Sequence, residues 1–146
     1  MYYFSRLVNM NFEDAVAATK EALQRHRFSI LAEIDMRKAL KEHLAVDFRP
    51  YLIISAYNPQ LADRAIRADE EIGSILLCNV VVHQQADGGV EISVTDPAAS
   101  IGTINNVELI SVARDLRFLV QQAMDDIECE PEARPSSVSE RRLATG

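Results

Sequence analysis

Between residues 28 and 97 the apolar side chains recur in short blocks with a period of two, and Asx residues punctuate the blocks. This alternation constrains the fold more than any other feature, because a period of two puts every second side chain on one face of a strand. Blocks at 28–35, 51–57, 75–84 and 90–95 predict four strands, and residues 2–8 predict another. Asp87, Gly88 and Gly89 separate the last two blocks and signal a turn, so those strands form a hairpin.

The remaining segments carry a helical period. Phe12, Val16, Thr19, Leu23 and His26 fall on one stripe, widened by Ala15 and Ala22, and Asn11 stands where it can cap that helix. Leu109, Val112, Ala113, Leu116, Val120, Ala123 and Ile127 form the stripe of a second long helix over 106–128, with Asn105 and Glu108 spaced as a capping box. Short helices are predicted over 36–44 and from Asn58-Pro59, where Leu61, Ala62, Ala65 and Ile66 make the apolar side. The order β-α-β-β-β-β-α, with the short connectors left aside, predicts an α+β domain over residues 1–129. Its antiparallel sheet has about five strands and carries both long helices on one face. From Glu130 onward prolines and serines replace large apolar residues, which predicts a disordered tail over 130–146.

Charge narrows the partners. The chain of 146 residues has a net charge of −7. Nucleic acids and anionic membrane surfaces both require basic patches, so neither is an expected partner. No apolar run reaches the roughly 20 residues of a membrane span. The first residues lack a basic segment followed by an apolar core, so a cytoplasmic location is expected. The two cysteines, Cys78 and Cys129, sit in no CxxC pair, and none of the three histidines has another His or Cys at metal-ligand spacing. No metal or cofactor is therefore expected. Neither a GxGxxG nor a GxxxxGK[ST] pattern is present.

Several short motifs occur together: Ala32-Glu33-Ile34-Asp35, Val46-Asp47-Phe48, Asn58-Pro59 with Leu61-Ala62, Cys78-Asn79-Val80-Val81-Val82, and Asp96-Pro97. In this combination the chain resembles the bacterial family known as domain of unknown function 302, over most of residues 3–120. The resemblance implies the same α+β element order and no assigned reaction. Much of the fingerprint has a structural reason. Asp35, Asn58 and Asp96 each precede a predicted helix or turn, where their side chains can accept from free N–H groups, and Pro59 and Pro97 then take the first helical position. The chain departs from the family pattern at four places. Tyr57 stands where cysteine is common, Leu77 where proline is, and Arg27 and Ala45 where glycines are usual. With Cys78 alone of a cysteine pair, a two-thiol mechanism is disfavoured.

With Phe28, Ile30, Ile34, Leu52, Ile54, Val90, Ile92 and Val94 turned toward the helices, the other face should carry Glu33, Ser55, Tyr57, Asn79, His83, Ser93 and Thr95 beside Leu31, Tyr51, Ile53 and Val81. A face so mixed suggests a covered surface, either a subunit interface or a ligand shelf. The candidate ligand-binding residues are Glu33, Tyr57, Asn79 and His83. The favoured function is a non-catalytic small-ligand-binding or assembly domain acting as a homodimer. One alternative is a small-molecule enzyme using those four residues. The other is a redox or metal-handling protein using Cys78, whose apolar setting should instead make it inert.

Overall fold

A computed structural model describes residues 2–127. The elements run β1 (Tyr3–Val8), α1 (Phe12–Arg25), β2 (Ser29–Asp35), α2 (Met36–Leu44), β3 (Tyr51–Tyr57), α3 (Pro59–Ala68), β4 (Cys78–Gln84), β5 (Val90–Thr95) and α4 (Val107–Asp125). Short 3-10 segments occupy Glu70–Ile75, Pro97–Ala99 and Ile101–Thr103. The tail expected from Glu130 lies outside the described residues, as does Cys129.

The strands form one five-stranded sheet in the order β1-β5-β4-β3-β2, and every neighbouring pair is antiparallel. The first and last strands are neighbours, because β1 adds to the edge of β5 that the β4–β5 hairpin leaves free. Gly88 supplies the positive φ of 92° that this hairpin's turn demands. α1 and α4 pack on one face, α3 lies beside α4, and the core fills the space between helices and sheet. Ile54, Val82, Ile92, Leu109 and Val112 are each fully inaccessible there. The stripe foreseen on α4 is buried along its whole length, from Leu109 to Ile127. On α1, Ala15, Thr19, Ala22 and Leu23 are buried, and the Thr19 hydroxyl donates to the Ala15 carbonyl at 2.7 Å, so its polar atom enters the core satisfied. At the far ends of these helices Asp126 accepts from Arg25 (2.9 Å) and lies 3.1 Å from His26 Nε2. Arg25 first, and then His26, holds the Asp126 carboxyl below its ordinary range.

The caps are where the Asx residues stand. Asn11, Asp35, Asn58 and Asp96 each accept a backbone N–H from the first turn that follows. For α4 the cap is Asn106, one residue later than expected, and its Oδ1 takes the N–H of both Glu108 and Leu109. The block at 75–84 also divides: Glu70–Ile75 is a 3-10 segment, and the strand begins only at Cys78. Of its apolar residues before Cys78, Leu76 is buried in the core, while Ile75 and Leu77 remain exposed.

The largest departure lies in β2. Its register against β3 shifts between Ile30 and Ala32, leaving Leu31 as an extra residue, a β-bulge. One extra residue reverses the alternation beyond it. Ile30 therefore still faces the helices, but Ile34, expected in the core, is 43% exposed on the opposite face. Glu33, expected on that opposite face, instead pairs across from the buried Ile54 and reaches Lys20 of α1 at 2.8 Å.

Arg27 and Ala45 are the non-glycine residues with positive φ among the described residues, at 72° and 55°. At these two sites glycine is usual in the family that the sequence resembles, and the left-handed region gives a physical reason. Ala45 ends α2, its N–H returning to the Lys41 carbonyl and that of Val46 to Leu40. Ala45→Gly relieves the Cβ clash at an exposed position and is expected to raise stability by about 0.5–1 kcal/mol, seen as a higher urea midpoint at unchanged slope. A lower midpoint would mean that the freedom gained by the unfolded chain outweighs the relief.

Candidate functional site: the open face of the sheet

Opposite α1 and α4 the sheet presents side chains in cross-strand rows. The central row runs Ile34, Ile53, Val81, Ser93 and Ser5 through β2, β3, β4, β5 and β1. Toward one end stands the row Tyr51, His83, Glu91 and Leu7, and toward the other Ala32, Ser55 and Asn79. Cross-strand neighbours in such rows have Cβ atoms about 5 Å apart, so each row is a continuous strip. The central one is apolar over three strands. Ile53 and Val81 are half-buried by their neighbours, and Ile34 is exposed at the edge.

The Tyr51 end holds a histidine–carboxylate pair under aromatic cover. His83 Nε2 lies 2.8 Å from Glu91 Oε1, and both side chains are largely shielded. The Tyr51 ring lies 5.4 Å from the imidazole, and Phe48 meets Tyr51 edge-on at 6.1 Å. Arg49 covers the Phe48 ring at 5.1 Å and donates to the Gln84 carbonyl. An imidazole and a carboxylate at this distance can pass a proton between them.

At the other end the Ser55 hydroxyl donates to the Asn79 side-chain oxygen. That leaves the Asn79 amide donors without a partner among the described residues. Beside Asn79 a groove of about 310 Å³ opens between the sheet end and the 3-10 segments, lined in part by Gly73, Cys78, Thr95, Pro97 and Ile101. The Cys-Asn and Asp-Pro signatures thus converge on one groove. Tyr57 ends β3 and packs partly against the core.

The four candidate residues do not converge. Glu33 is on the helix side because of the bulge. Asn79 and His83 lie on one face but four residues apart, roughly 13 Å along the strand. Asn79 has Ser55 as its partner and His83 has Glu91. Glu91 was absent from the expected set, although the same period of two that marks Ser93 and Thr95 also marks it. Among the described residues no group of three His, Cys, Asp or Glu side chains is arranged to hold a metal ion. No described helix is long and apolar enough to cross a membrane.

Cys78 is 5% exposed, and burial pushes its thiol up to about 12. In native protein near neutral pH Cys78 should resist iodoacetamide and react only after unfolding, as read by peptide mass spectrometry. Rapid native labelling would restore thiol chemistry as a possibility for this site.

The comparisons with known proteins agree with this architecture. The sequence pattern of the family described as "Domain of unknown function DUF302" matches residues 4–127. The crystal structure of an uncharacterized conserved DUF302 protein from Bacillus stearothermophilus superposes with a TM-score of 0.80 at 25% identity, over 88% of this chain and 99% of that one. No curated protein matches the sequence. The bulged five-stranded sheet, the Asx caps and the Cys-Asn groove are therefore features of a member of a larger set: the chain belongs to the DUF302 family.

Proposed function

We propose that the protein is a non-catalytic assembly domain of the bacterial cytoplasm, pairing with a second copy of itself through the open face of the sheet. The observation that carries this reading is the apolar row Ile34–Ile53–Val81, which spans three strands on the face that α1 and α4 leave bare. Covering apolar surface contributes roughly 25 cal/mol for each Å² removed from water. A two-fold axis needs only one self-complementary patch, so a second copy is the simplest cover. The ligand-binding part of the reading belongs to the groove beside Asn79, whose free amide donors and the Thr95 hydroxyl can orient a small polar molecule at the edge of such an interface. A net charge of −7 disfavours nucleic acid and anionic lipid as alternatives.

The enzymatic reading rests on a different observation, the shielded His83–Glu91 pair beside Tyr51. The separation of His83 from Asn79, roughly 13 Å along the strand, removes the convergence it needed. Burial of Cys78 weighs against the redox reading. Sedimentation velocity of the full chain at micromolar concentration tests the proposal. The expected species has the mass of two 16.3 kDa chains, and a monomer at that concentration overturns it.

A further inference from the structure

On the helix side of the sheet, away from the open face, a groove of about 450 Å³ lies between the start of α3 and the outer side of α4. This volume suits a small organic molecule. Leu61, Phe118 and Leu119 form an apolar wall, and Phe118 is 59% exposed among the described residues. Two guanidiniums, those of Arg27 and Arg114, line the same groove. Neither has a side-chain partner among the described residues. In a chain with 22 acidic and 15 basic side chains, two unpaired arginines at one groove are unexpected.

The carboxylates nearby are already taken. Asp115 lines the groove and would repel an anion, but Arg64 holds it at 3.0 Å and holds Glu108 at 3.1 Å, while also donating to Ser111. Of the charged residues that line the groove, Arg27 and Arg114 outweigh Asp115, so its lining is positive within an acidic protein. Arg27 also keeps its side chain at a φ of 72°, a conformation that glycine would adopt without strain.

The geometry points to a binding site for a small carboxylate with an apolar body: Arg27 and Arg114 grip the carboxylate, and Leu61, Phe118 and Leu119 take the hydrocarbon. Arginine's planar fork matches a carboxylate with paired hydrogen bonds. A bare inorganic anion leaves the apolar wall unused. A neutral apolar molecule displaces water from the guanidiniums and replaces it with nothing. The site is independent of the open face and of whether the protein dimerises.

Calorimetric titration of the full chain with 3-phenylpropionate, its neutral amide and inorganic phosphate tests this. The acid should bind once per chain, with the amide and phosphate each at least about tenfold weaker. Arg114→Gln should weaken the acid by about tenfold or more. Arg27→Gly is the sharper variant, since it removes a guanidinium and relieves a strained φ together. It should lose affinity by a similar factor while its melting temperature rises, which a merely folding-related role could not produce. Equal binding of acid and amide, phosphate binding as tightly as the acid, no binding at millimolar acid, or unchanged affinity in either arginine variant would each overturn the assignment.

Discussion

Ile53→Lys is expected to turn a homodimer into monomers while leaving the fold intact. Ile53 is the midpoint of the apolar row on the open face, between Ile34 and Val81. Its chain neighbour Ile54 points the other way and is wholly buried under the helices. The lysine therefore meets no core side chain in the monomer and can reach water. In the proposed dimer it places an ammonium group at the centre of an apolar contact, and burying an unpaired charge costs several kcal/mol. Dissociation should be favoured by at least about a hundredfold. Sedimentation velocity reports the mass, and a thermal melt reports the fold. A variant that still dimerises at wild-type affinity would move the interface off this face. One that unfolds outright would mean that Ile53 belongs to the core.

Asn58→Ala should be among the most damaging single substitutions outside the apolar core, at about 2–3 kcal/mol. Asn58 is 4% exposed and uses both ends of its amide. Oδ1 accepts from the Leu61 N–H at 2.8 Å and caps α3, while Nδ2 donates to the Arg27 carbonyl at 3.1 Å. Loss of a cap costs about 1 kcal/mol, and leaving a shielded acceptor unpaired costs about 1–3 kcal/mol more. The pair of bonds ties the left-handed turn between α1 and β2 to the start of α3, so one side chain holds two connections in place. Asn58→Asp separates the two roles: it keeps the cap and sets a carboxylate against the Arg27 carbonyl, so it too should destabilise. Urea unfolding of both variants gives the values. A change under about 0.5 kcal/mol for alanine would free Asn58 from this structural role.

Much of the body was legible because the signals are local. The period of two placed the strands, and the period of 3.6 placed the α4 stripe, every residue of which is buried. Asp35, Asn58 and Asp96 read as caps because a short side-chain oxygen before a first turn has one obvious use. The faces of β3, β4 and β5 followed from alternation alone. The candidate site was less legible. Placing Glu33 on one face with Tyr57, Asn79 and His83 requires alternation to run unbroken through β2, and Leu31 breaks it.

What the sequence determined by itself is therefore the element order, the caps at Asn11, Asp35, Asn58 and Asp96, and the buried stripes. Each depends on neighbours within a few positions along the chain. Only the tertiary structure decided that Glu33 turns to Lys20, that Ile34 joins Ile53 and Val81, that His83 meets Glu91 rather than Asn79, and that Arg27 and Arg114 share a groove. Those outcomes rest on a bulge, a strand order and a helix packing that bring distant residues together. A one-residue register shift exchanges the two faces of a strand, and no local pattern records which strand will carry it.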